Sequence, residues 1–97
     1  MNSPQLLIEG YLFKQGSFAC PEQYDVFDLE GTLCAYVRLR HSQVKVYCPD
    51  FGGHIVYEAE TIGDGAFLSS ERLKHLKAAV IGIQEWIISK QYDEILE

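Results

Sequence analysis

The run Leu33-Cys34-Ala35-Tyr36-Val37-Arg38-Leu39-Arg40 alternates without a break. Leu33, Ala35, Val37 and Leu39 fall on one side, and Cys34, Tyr36, Arg38 and Arg40 on the other. A period of two sends successive side chains to opposite faces, so the run predicts a strand with one buried face. Gln43-Val44-Lys45-Val46-Tyr47-Cys48 continues the pattern after a two-residue connection, His41-Ser42. That connection pairs Leu39 with Val44, Val37 with Val46 and Ala35 with Cys48 on the buried face. It pairs Arg38 with Lys45 and Tyr36 with Tyr47 on the open face. A slip of one residue would set valines against charges, which pins the register. The favoured two-residue turns use Gly or Asn, and His-Ser is neither.

Two further strands flank this hairpin. A three-residue loop, Glu30-Gly31-Thr32, pairs Leu29 with Leu33 and Phe27 with Ala35, and Gly31 suits the left-handed residue such a loop needs. This register turns Tyr24 and Cys34 to the open face. After Cys48, Pro49-Asp50-Phe51-Gly52-Gly53 is a dense turn signal. A strand over 54–60 follows, with Tyr47 facing His54, Lys45 facing Val56, Glu58 diagonal to Lys45, and Ile55 and Tyr57 turned inward. Leu6-Leu7-Ile8-Glu9-Gly10-Tyr11-Leu12-Phe13 is apolar on both strand faces. A Ser3-Pro4 helix start is the alternative there. A strand is favoured, because Gly10 costs a helix about 1 kcal/mol and Tyr11 and Phe13 suit strands.

One long helix is expected over 70–90, with Ser69 as N-cap, Leu68 stapled to Leu73 and Glu71 at the positive end. Leu73, Leu76, Val80, Ile83 and Ile87 form a core stripe with Ala79 at its edge. Ile81 and Ile88 lie off that stripe on one side and Trp86 on the other. An apolar arc this wide calls for a second contact, either the N-terminal segment or another chain. A homodimer with Ile81, Trp86 and Ile88 in its interface is the expectation, two-fold pairing being the commonest assembly. The tail after Lys90 either extends the helix or covers that surface. The predicted fold is α+β, a single domain over 1–97. It is an antiparallel meander of four to five strands, cored over 24–60, with one face under the C-terminal helix.

Composition narrows the function. The 97 residues are 47% hydrophobic and 23% charged with a net charge of −6, ordinary for a soluble domain. The apolar runs are far short of a membrane span, and Met1-Asn2-Ser3-Pro4-Gln5 lacks the basic region of a signal peptide. A cytoplasmic protein without a membrane partner is therefore expected. The negative charge disfavours general nucleic-acid or anionic-membrane binding. Cys20, Cys34 and Cys48 are an odd count, which fits free thiols.

No motif carries a chemistry by itself, and no metal or cofactor is expected. Cys48-Pro49-Asp50-Phe51-Gly52-Gly53 has the shape of half a zinc knuckle, but Phe51 stands where the second Cys belongs and four ligands are needed. Asp50-Phe51-Gly52 spells the kinase magnesium tripeptide without its companion motifs. Gly63-Asp64-Gly65 is too short for a nucleotide or calcium loop. The best candidate site is the open sheet face, with Tyr24, Tyr36, Arg38, Lys45, Tyr47 and His54 as ligand-binding residues and Arg40 beside them. Rings with interleaved cations hold small planar ligands or stack bases. The plain alternative is a solvated face on which Tyr and Arg are favoured strand residues.

The segments Pro21-Glu22-Gln23-Tyr24-Asp25-Val26, Gly31, Tyr36-Val37-Arg38-Leu39-Arg40 and Cys48-Pro49-Asp50 resemble a group of small bacterial proteins, some of them products of mobile integron gene cassettes. The resemblance covers residues 18 to about 90. It implies a bacterial accessory protein and transfers no active-site residue. A binding or protein-interaction module, with a small molecule or a protein as partner, is the leading expectation. A small enzyme using Cys34 or His54 and a single-strand nucleic-acid binder on the open face are the alternatives.

Overall fold

A computed structural model describes residues 5–16 and 22–96, the last of these by its backbone alone. Cys20 and the end of the expected Gln15-Gly16-Ser17 turn lie outside the described residues. Six strands precede the helix: β1 (Gln5–Ile8), β2 (Tyr11–Gln15), β3 (Gln23–Phe27), β4 (Leu33–Arg40), β5 (Gln43–Cys48), β6 (His54–Glu60) and α1 (Ser69–Leu96). The strands form one antiparallel meander in chain order. The class is α+β as expected, with six strands rather than four or five. The difference lies at the N-terminus, where two strands replace the one expected. Glu9 (φ 53°) and Gly10 (φ 86°) are both left-handed and join them in a tight turn.

The central hairpin keeps its expected register. Leu39 faces Val44, Val37 faces Val46, Arg38 faces Lys45 and Tyr36 faces Tyr47. The His41-Ser42 connection is a two-residue turn with both residues left-handed, at φ 55° and 57°. No Gly or Asn relieves it. Instead the Ser42 N–H donates to Asp64 Oδ1 at 3.2 Å, and the Ser42 carbonyl accepts the Thr61 N–H at 2.9 Å. Two external hydrogen bonds hold a conformation that the residues alone disfavour.

The flanking registers differ from expectation, each by way of a bulge. Val26 faces Ala35 and Phe27 faces Leu33, with Cys34 as the extra residue. Tyr24 and Val26 therefore point inward, while Leu33 and Leu29 are exposed and Cys34 is 8% exposed. The expected pairing of Phe27 with Ala35 would have carried Asp25 into the core beside it, and this is the physical reason it fails. The loop shifts accordingly. Asp28 pairs with Thr32, its carboxylate accepts the N–H groups of Glu30 and Thr32 at 2.9 Å, and Gly31 is left-handed (φ 85°).

On the other flank Tyr47 faces Ile55, Val46 faces Tyr57 and Lys45 faces Glu58, with Val56 as the extra residue. Ile55 is exposed rather than buried. Gly53 closes the preceding turn so tightly that a Cβ there would lie 2.2 Å from the Cys48 carbonyl oxygen.

Phe13, Val26, Ala35, Val37, Leu39, Val44, Val46 and Cys48 cover the inner face of the sheet, and Leu76, Ala79, Val80 and Ile83 of α1 pack on it. Both edge strands, β1 and β6, touch the helix, which lies across the sheet. Leu73 is 53% exposed and leaves the expected core stripe, whereas His75 is buried. The helix also starts one residue early and ends six late. Leu68, not Ser69, is the N-cap: its carbonyl accepts the Arg72 N–H at 3.0 Å, and its N–H donates to Glu71 Oε2 at 3.0 Å. No Gly or Pro stops the chain after Lys90. Among the described residues, no helix is long and apolar enough to cross a membrane.

Candidate functional site

The outer face of β4 and β5 gathers rings and cations. Tyr36 and Tyr47 lie across the strand pair with ring centroids 6.3 Å apart. Phe51, delivered by the turn between β5 and β6, meets both edge-on at 5.3 and 5.8 Å. The Arg38 guanidinium lies 5.9 Å from the Phe51 centroid, a cation–π distance. Tyr36 donates to Gln23 Oε1 at 2.6 Å. Burial, with Asp25 and Tyr47 nearby, outweighs the opposing Arg38 charge and raises the Tyr36 hydroxyl above its ordinary value. Tyr36 is neutral and a hydrogen-bond donor at physiological pH.

Beside the rings lies a shallow depression of about 350 Å³ lined by Arg38, Arg40, His41, Gln43, Lys45 and Tyr47. Lys45 reaches Glu58 at 3.7 Å. Arg38 and Arg40 make no ion pair among the described residues. The Arg38 Nε is buried with no hydrogen-bond partner among them.

Of the six residues expected to bind ligand, the structure brings Tyr36, Arg38, Lys45 and Tyr47 together. Tyr24 is not on this face. It is 3% exposed, packs edge-on to Phe13 and donates to Glu22. His54 is exposed, but it pairs with Cys48 at the strand end, so Ile55 takes the place beside Tyr47. Phe51 is the ring that strand periodicity misses, because it sits in a turn. Its signal is a large apolar residue among Pro, Asp and Gly, and it stays 60% exposed.

Cys34, the nucleophile of the alternative enzyme reading, is buried, and so is Cys48. Burial pushes the Cys34 thiol up to about 11 and the Cys48 thiol up to about 12. Both remain protonated at neutral pH, whereas a nucleophile needs the thiolate. Cys34 Sγ is spent on the Val26 carbonyl at 3.4 Å.

Two buried acid sites lie beneath α1, away from the open face. Glu22 accepts a two-point contact from Arg72 (2.8 and 3.1 Å), the Phe67 N–H (3.0 Å) and the Tyr24 hydroxyl. Burial alone would raise its carboxyl, but these donors outweigh it and the group lies below its ordinary value. Glu71 accepts the N–H groups of Ile62, Gly63 and Leu68 at 2.8–3.0 Å. Burial again opposes and the donors again prevail, holding it at about 2. His75 Nε2 stands 3.4 Å from Glu71, and its Nδ1 lies 2.9 Å from the Tyr57 hydroxyl. Every member bonds within the fold, so these groups lock the loop before α1 to the sheet.

On the far side of α1, Ile81 and Ile88 are 58% and 63% exposed, and Tyr92 and Ile95 continue their line. Trp86 is elsewhere. It is half-buried against the core, with Lys90 Nζ 5.7 Å from its ring centroid. No protein family, curated protein or solved structure matches the chain.

Proposed function

We propose that the chain is a small binding module that works as a homodimer. The outward stripe of α1 joins two copies, and the open face of the sheet stays free for a ligand. The observation that carries the reading is the end of the helix. Residues 88–95 are all exposed, yet Ile88, Tyr92 and Ile95 stand on one side of it. The 28 residues of α1 run about 42 Å, while six strands span only about 24 Å. The last turns overhang the sheet and gain nothing from it. Packing contributes most of a helix's stability in proteins, and this end finds none on the sheet, which supports a partner surface.

Charge favours a second copy as that partner. Lys74, Lys77 and Glu85 are exposed on the same side of α1 as Ile81 and Ile88. An antiparallel two-fold pairing centred near Ile81 sets Lys77 of each copy beside Glu85 of the other. The same pairing leaves β4 and β5 uncovered. A cytoplasmic setting and an accessory role in bacteria belong to this reading, on the resemblance to integron-cassette proteins.

Molar mass by light scattering tests it. Wild type is expected at twice the chain mass, and Ile81→Glu/Ile88→Glu is expected to give a folded monomer. A wild-type monomer across micromolar to millimolar concentration would contradict the dimer.

A further inference from the structure

The geometry points to the depression on the open face as a site for a single nucleotide, with the phosphate at Arg38 and Arg40 and the base against Tyr47. The inference rests on the reading of the open face as the ligand face and is independent of the dimer.

The chain is acidic overall, at −6, yet this depression gathers Arg38, Arg40, Lys45 and His41. Arg38 and Lys45 sit directly opposite one another, an unfavourable like-charge pair. Glu58 answers Lys45 alone, at 3.7 Å. The two arginines, two residues apart on one strand face, have no carboxylate among the described residues. A buried Arg38 Nε without a partner adds an unused donor. Guanidinium groups present paired N–H donors that match the oxygens of a phosphate. A dianionic phosphate would relieve the repulsion that the folded chain otherwise carries.

Phosphate alone leaves Tyr47 unexplained. Its ring walls the same depression, and Tyr36 and Phe51 brace it from behind. A braced ring beside cations takes a flat base by stacking. The site is small, about 350 Å³, which fits one nucleotide. Beyond this patch the net negative charge repels the continuing backbone of a strand.

Adenosine 5′-monophosphate is the probe, followed by amide NMR of the labelled protein, with adenosine, inorganic phosphate and oligoadenylates as comparison ligands. The expected result is saturable binding with shifts concentrated over residues 38–47, tighter for the nucleotide than for either fragment. Arg40→Ala and Tyr47→Ala should each weaken binding by about tenfold or more, with unchanged spectra elsewhere. Lys90→Ala, on the side of the helix away from Ile81 and Ile88, should leave affinity unchanged. Adenosine binding as well as the nucleotide would overturn the anion site but keep the open face as a ligand face. Phosphate binding as well as the nucleotide, with Tyr47→Ala silent, would overturn the stacking half of the site. Affinity climbing steeply with oligoadenylate length would replace the single nucleotide with a strand. No shift on this face with any of these ligands, in a dimeric and folded protein, would overturn the site while leaving the dimer intact.

Discussion

Glu71 shows how one side chain can organise a junction. As the third residue of α1 it completes the helix cap through Leu68, and with its remaining lone pairs it gathers the Ile62 and Gly63 N–H groups. The carboxylate is bound as an anion and lies near 2 in the folded chain, against about 4.3 for an ordinary Glu. A folded value below the unfolded one gives stability that is complete above pH ~4.3 and fades as pH falls toward the folded value. Glu22, lowered by its donors, acts in the same direction. Glu71→Gln should therefore lower the melting temperature at neutral pH, and the deficit should shrink as pH falls from 4 toward 2. Thermal melts of both proteins across that range check this. A deficit that stays constant with pH would contradict it.

Such contacts were not legible in the sequence. Glu22 and Arg72 are fifty residues apart, and nothing in local periodicity pairs them. Tyr24 was closer to legible. The face that holds Tyr24 and Val26 excludes Asp25, while the opposite face includes it, so counting charges per face would have turned the strand correctly.

At the scale of elements, β5 and residues 35–40 of β4 were legible because they alternate and a slip would have buried charge, whereas the bulge at Cys34 turns Leu33 out and Cys34 in. β3 and β6 were not, because each carries apolar residues on both faces and a bulge sets its register. Helix α1 was legible in kind and in its middle. Its contact with β6 was not. Gly82 lies where a Cβ would come within 2.5 Å of the Val56 carbonyl oxygen, at the bulge of β6. On helix propensity alone, Gly82→Ala should stabilise by about 1 kcal/mol. Overpacking against a backbone carbonyl costs about 1–3 kcal/mol. The net expectation is a loss of about 1 kcal/mol, read as a lower urea midpoint with an unchanged slope. A raised midpoint would show that the helix does not press on the bulge. The candidate site divides in the same way. Its strand residues Tyr36, Arg38, Lys45 and Tyr47 were legible, and Phe51 in its turn was not.

The whole molecule measures 43 × 30 × 22 Å, and the long dimension is close to the ~42 Å length of α1. Two surfaces remain unspent. One is the outer sheet face, with its rings and with Arg38 and Arg40, which make no ion pair among the described residues. The other is the far side of the helix, with Ile81, Ile88, Tyr92 and Ile95. They lie on opposite sides of the core, so self-association through one leaves the other open.

Hydrogen exchange of the amides in residues 88–95 tests this division most directly. Among the described residues of one chain those turns are exposed. In a helix-paired dimer they are covered, and exchange should be slow in wild type, faster on dilution, and fast in Ile81→Glu/Ile88→Glu while the strand amides stay protected. Fast exchange of these amides in concentrated wild type, with the sheet fully protected, would mean that no second copy covers the helix.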